Sequence, residues 1–80
     1  MSKEIHSAAD FEKEITNHKG YALVDFWATW CPPCVREMPS LDRLQAVKGD
    51  SSFEVVALSI DRQGLEVVAP FFKRTGLANL

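Results

Sequence analysis

Cys31 and Cys34 are the only cysteines in the 80-residue chain, and Pro32 and Pro33 separate them. On a helix, a three-residue step rises about 4.5 Å onto a neighbouring face. That lies inside the roughly 4.4–6.8 Å between Cα atoms that a disulfide tolerates, so the two thiols can join and part with little backbone motion. A disulfide closing so short a loop removes little entropy from the unfolded chain. The spacing therefore argues for thiol–disulfide exchange over stapling. Zinc binding is the competing chemistry, but a structural zinc site wants four ligands. The only histidines, His6 and His18, lie far upstream at what read as element ends, where both are expected to be surface residues. No metal and no organic cofactor is expected.

The elements on either side decide which sulfur attacks. Upstream is an apolar run with strand character, Tyr21–Ala28 (YALVDFWA), and downstream a helix-patterned run begins at Pro32. The thiols thus sit where a strand turns into a helix. A helix N-terminus presents unpaired N–H groups and the positive end of the macrodipole, which favour a thiolate. Thiols in such places titrate at about 3.5–7.5. Cys31, nearest the helix end, is the predicted nucleophile, and Cys34, one turn in, is the predicted resolving thiol. Proline is tolerated in a first helical turn because its missing N–H had no helical partner there and its φ suits a helix start. Pro32 and Pro33 also subtract donors that would have stabilised a thiolate. They should tune the redox poise, where about 30 mV corresponds to roughly 1.4 kcal/mol.

In chain order, Lys3–His6 reads as a short first strand leading to Ser7, which with Asp10 forms an S-x-x-D capping pattern. Ala8, Phe11 and Ile15 follow at helical spacing, and Gly20 is placed to end that helix near His18. The Tyr21 run has so few polar residues that it reads as a central strand covered on both faces. Asp25 is its only charge, and a carboxylate there is costly unless paired or protonated. The helix from Pro32 to about Val47 repeats Val35, Met38, Leu41, Leu44 and Val47 as a buried stripe, with Pro39 predicted to kink it. Phe53–Ile60 (FEVVALSI) reads as a second central strand, so the intervening helix makes a right-handed βαβ crossover. The turn carrying the thiols then lies at the carboxyl end of the first strand, where open α/β sheets place their sites. Asp61 and Gln63 are expected to open a last helix with Leu65, Val68 and Phe72 on one face, Val67 and Phe71 beside them, and Gly76 at its end.

Composition narrows the classes further. With 46% hydrophobic and 25% charged residues, the chain reads as one small globular domain, residues 1–80, with a marginal core. A net charge of −2 argues against nucleic acid or an anionic membrane as the main partner. No apolar run approaches the roughly 18 residues of a membrane span, and the N-terminus lacks a basic-then-apolar signal pattern.

Around the thiols the sequence resembles a known superfamily. VDFWA (Val24–Ala28) is similar to thioredoxin, whereas WCPPC followed by VREMPSL (Trp30–Leu41) is similar to the TlpA-like branch of thiol-disulfide oxidoreductases. The resemblance implies a thioredoxin-like α/β fold, here in part, as βαβαβα with a central, mainly parallel sheet flanked by helices. It also implies that Asp25 handles the proton of the resolving cysteine, that Glu37 serves as a second active-site carboxylate, and that the Trp30 ring is exposed and frames the thiol. Cys31, Cys34, Asp25 and Glu37 are accordingly the candidate catalytic residues, and Trp30, Pro32 and Pro33 the candidate substrate contacts. The family's next piece is a strand entered through a cis-proline, then an edge strand and a final helix. None of this chain's prolines suits that position, so the chain is expected to be an N-terminal fragment with those C-terminal elements missing. The activity implied is thiol–disulfide exchange with protein disulfides, in the reductive direction, with a redox partner protein restoring the dithiol. TlpA-like proteins mostly work outside the cytoplasm, in the periplasm for example, while VDFWA also suits cytoplasmic thioredoxins. A binding or scaffold module with idle thiols, or with thiols holding zinc together with a second chain, is the alternative from another class. Without a covering strand, the open Tyr21–Trp27 edge is expected to make the chain either self-associate, by strand pairing or swapping, or remain marginal and molten.

Overall fold

A computed structural model describes residue 5 and residues 7–80 of the chain. The elements are α1 (Ala8–Phe11), which continues as a π-helical turn (Glu12–Thr16), β1 (Tyr21–Trp27), α2 (Pro32–Lys48), β2 (Phe53–Ser59) and α3 (Leu65–Thr75). The first strand expected over residues 3–6 lies outside the described residues, except for Ile5, which has no regular structure. His6 also lies outside them.

Ser7 starts α1 as expected, its Oγ accepting a hydrogen bond from the Asp10 N–H at 3.1 Å. The helix then widens, because the Asn17 N–H reaches back five residues to the Glu12 carbonyl at 2.8 Å. Gly20, expected to cap this helix, instead stands immediately before β1. Its φ is +90°, and a Cβ there would overlap the Ser52 backbone, whose carbonyl accepts the Tyr21 N–H at 2.8 Å. Only glycine permits that close approach. His18 is not the exposed residue the sequence implied. Its Nε2 lies 3.2 Å from Glu54 Oε1, and only 15% of its side chain is exposed.

β1 and β2 pair in parallel, in a register running from Tyr21 opposite Phe53 to Trp27 opposite Ser59. Parallel neighbours need a crossover, and α2 supplies it. The Gln45 side chain of α2 accepts the Val55 N–H of β2 at 2.7 Å, tying helix to strand. The bonds at the two ends of the ladder, Tyr21 N–H to Ser52 O and Ile60 N–H to Trp27 O, show that odd-numbered residues of β1 bond to β2. Ala22, Val24 and Phe26 therefore turn their backbone groups to the other edge, which no strand covers among the described residues. The sequence reading of β1 as covered on both faces is corrected accordingly: Tyr21 is 79% exposed and Phe26 63%.

The core joins Trp27, Met38, Val55, Phe71, Leu77 and Leu80, with Cys34, Val35, Leu41 and Leu44 packed around it. Trp27 supplies the largest apolar side chain, and its ring centroid lies 5.1 Å from that of Phe71 and 5.8 Å from that of Phe72. The predicted α2 stripe holds from Val35 to Leu44, but Val47 at its end is exposed. α3 begins four residues later than expected, after Gly64 at φ +58°. Its packing centre is Phe71, and Leu65 is exposed. Gly76, at φ +71°, ends it, its N–H donating to the Phe72 carbonyl at 3.0 Å. The chain then returns to α2, where Asp42 Oδ1 accepts the N–H groups of Asn79 and Leu80 at 2.8 and 3.0 Å. This latch seats Leu77 and Leu80 in the core. The architecture is α/β with a parallel sheet, a partial thioredoxin-like fold.

Candidate active site

β1 ends at Trp27, and a single turn carries the chain into α2. Within it the Cys31 N–H donates to the Ala28 carbonyl at 3.1 Å, and the Val35 N–H to the Cys31 carbonyl at 2.9 Å, closing the first turn of the helix. Cys31 is therefore the N-cap residue, with extended backbone at φ −104°, ψ 100°, and Pro32 and Pro33 fill the first helical positions. The two cysteines form a disulfide with their Cα atoms 5.3 Å apart, as the spacing required. Both are half-buried, but only Cys34 packs against the core cluster. Cys31 lies at the open N-terminal end of the helix, where Pro32 and Pro33 bring no N–H group of their own.

The rest of the predicted set lies in the turn itself or on the two elements it joins. Trp30 is 68% exposed immediately before Cys31, and Pro32 and Pro33 are exposed immediately after it. These three exposed apolar residues flank Cys31 along the chain. Asp25 lies on the face of β1 that also carries Trp27, and its Oδ2 is buried with no hydrogen-bond partner. Burial first, and the Glu37 carboxylate second, raise the pKa of Asp25 above that of an ordinary aspartate. Glu37 is exposed on α2 one turn after Cys34, and its charge acts on Asp25. A carboxylate with raised proton affinity is better matched to a thiol's proton than an ordinary one. Among the described residues, no group of three or more His, Cys, Asp or Glu side chains converges in a way that would hold a metal ion.

The sequence reading missed one part of the site. Asp61, expected to open the last helix, is instead 8% exposed at the carboxyl end of β2. Its Oδ1 accepts the Thr29 hydroxyl at 2.6 Å, its Oδ2 accepts the Ser59 hydroxyl at 2.6 Å, and the Thr29 N–H is shared between both oxygens at 3.3 and 3.0 Å. Ser59 Oγ in turn accepts the Asp61 N–H at 3.0 Å. Burial works against the charge, but the bonds from Ser59 and Thr29 outweigh it and hold the Asp61 pKa below the usual value. The signal was there in the register: Trp27 lies opposite Ser59, so two residues further on Thr29 meets Asp61.

Known proteins match this chain over most of its length. The Redoxin family profile matches residues 5–80. Thioredoxin of Buchnera aphidicola is 37% identical over 71 residues, covering 89% of this chain and 63% of that protein. Thioredoxin of Listeria monocytogenes is 41% identical over 61 residues, 76% of this chain and 55% of that protein. Thiol-disulfide oxidoreductase ResA of Geobacillus thermodenitrificans is 34% identical over 67 residues, covering 82% of this chain and 38% of the relative. The chain thus spans less than two thirds of the length of each of these relatives.

Proposed function

The chain belongs to the Redoxin family, and on that premise we propose that it is a thiol-disulfide oxidoreductase of the TlpA-like branch, working as a reductase of protein disulfides. The observation that carries the reading is the Cys31–Cys34 disulfide at the N-terminus of α2, with Cys31 at the open helix end and Cys34 against the core. Likeness to both thioredoxins and ResA supports it.

In the reaction, the Cys31 thiolate attacks one sulfur of a substrate disulfide. A Cys31–substrate S–S bond forms, and the other substrate sulfur leaves as a thiolate that takes up a proton. Cys34 then loses its proton to Asp25, whose buried Oδ2 has no hydrogen-bond partner, and attacks Cys31 Sγ. The second substrate thiol departs and the Cys31–Cys34 disulfide is restored. Two electrons pass from the protein dithiol to the substrate, and a partner protein with a dithiol of its own returns them. Glu37 assists by keeping the proton affinity of Asp25 high. Trp30, Pro32 and Pro33 offer the apolar surface against which the substrate chain lies.

No helix among the described residues is long and apolar enough to cross a membrane. The WCPPC–VREMPSL pattern favours work outside the cytoplasm, in a compartment where substrate disulfides persist. Reduction of insulin by the reduced chain, combined with metal analysis of the purified protein, tests the reading. Turnover with no bound zinc is expected. No turnover together with stoichiometric zinc would instead support a binding module with metal-held thiols.

A further inference from the structure

We propose that Asp61 is a positioning residue for the Cys31–Cys34 couple: by gripping Thr29 it holds the Ala28–Cys31 turn and thereby sets how readily the disulfide is reduced. The inference rests on the proposed exchange chemistry and names a residue outside it. Asp61 joins the end of β2 to a residue 32 positions earlier, its two oxygens accepting the Thr29 N–H and hydroxyl, and the Ser59 hydroxyl adds a second bond to Oδ2. A carboxylate buried to this degree persists as an anion only where its lone pairs are filled, and here all the donors come from the turn or from the end of its own strand. By contrast, Asp50 caps only its own turn, through Ser52 and Phe53.

The turn it grips leads straight to the nucleophile. Thr29 is the second residue of the turn closed by the Cys31 N–H and the Ala28 carbonyl. In the disulfide form, the bond to Cys34 restrains Cys31 covalently. In the dithiol form that restraint is gone, and the clamp on Thr29 takes a larger share of holding Cys31 at the helix end. Loosening the clamp therefore costs the dithiol more than the disulfide, and reduction becomes less favourable.

The test is the equilibrium of the full chain with glutathione, in which protein disulfide and two glutathione thiols yield protein dithiol and one glutathione disulfide. The dithiol fraction is read by alkylation and mass spectrometry. Thr29→Val keeps the backbone N–H but loses the hydroxyl, and Asp61→Asn removes the charge. Both are expected to lower the equilibrium constant by about threefold to tenfold, a fraction of what one charge-assisted hydrogen bond is worth. Thr29→Ser should restore the wild-type value. Asp42→Asn loosens an equally well-bonded carboxylate at the Asn79–Leu80 latch. It should lower stability while leaving the constant within about twofold. An unchanged constant in Thr29→Val and Asp61→Asn would overturn the proposal, as would an equal shift in Asp42→Asn. Should Asp61→Asn fail to fold, Thr29→Val and its serine rescue decide alone. No protein substrate enters this measurement, so failure to reduce insulin would refute the proposed function and leave this test standing.

Discussion

Replacing Met38 by alanine separates the packing seen in the structure from the stripe read in the sequence, in which Met38 and Val47 are equivalent. The Met38 side chain is fully buried, 0% exposed, in the cluster that also seats Cys34, whereas Val47 is 71% exposed. Truncating Met38 removes three heavy atoms from the core, about 2.4 kcal/mol at roughly 0.8 kcal/mol per methylene equivalent. The cavity left behind brings the loss to about 3–4 kcal/mol, within the range for such substitutions. A domain of this length holds on the order of 4–12 kcal/mol in total, so the change takes about a quarter of it or more. With a urea dependence of about 1 kcal/mol per molar, the midpoint should fall by roughly 3 M. Val47→Ala, at an exposed helical position, should stay within about 0.5 kcal/mol of wild type. Urea unfolding of the oxidised chain, followed by tryptophan fluorescence, gives both numbers. Equal midpoints for the two variants, or a loss below about 1 kcal/mol for Met38→Ala, would refute the packing described.

Further substitutions test other parts of the account. Because the folded-state pKa of Asp25 is raised, folding favours its protonated form, so its ionisation costs stability as pH rises through the folded value. Asp25→Asn should therefore be more stable than wild type at neutral pH, with the gap closing as pH falls to the ordinary carboxylate range, and it should slow resolution by Cys34. A gap that does not change with pH would contradict this. Gly20→Ala and Gly76→Ala each place a side chain at positive φ, a strain of about 1–2 kcal/mol. Gly20→Ala must also displace the Ser52 carbonyl and its bond from Tyr21, about 1 kcal/mol more. Urea unfolding should rank Gly20→Ala below Gly76→Ala, and equal losses would count against the close approach at Ser52. The open edge of β1, with Phe26 exposed beside it, should make the chain self-associate in sedimentation velocity, and Phe26→Lys should return a monomer. A chain that stays monomeric at every concentration would contradict that expectation.

Much of this site was legible because its determinants are local. The C-x-x-C spacing, the apolar run before it, the two prolines suited to a first turn, and the Ser7 cap are each set within a few residues, and each is found where the sequence put it. The parallel βαβ unit was equally legible, since two apolar runs joined by a helix-length segment have few other arrangements. Readings that depended on distant partners fared differently. β1 reads as buried on both faces from composition alone, yet nothing in a strand's own residues states which elements cover it, and Tyr21 and Phe26 lie open. Gly20 suits a helix end by local rule, but the approach of Ser52, distant in sequence, decides its place. Asp61 illustrates this most clearly. After a strand it reads as a helix start, and its true partner, Thr29, emerges only once the strand register is known. The Asp42 latch on Asn79 and Leu80 is hidden for the same reason.

The central claim is that Cys31 attacks and Cys34 resolves, and it is tested most directly by trapping the mixed disulfide. Cys34→Ser and Cys31→Ser chains are reduced, mixed with a protein disulfide such as insulin, quenched in acid and mapped by mass spectrometry. The account predicts a stable adduct bonded through Cys31 in the Cys34→Ser protein and none in the Cys31→Ser protein. An adduct through Cys34 alone, or no adduct in either protein, would contradict it.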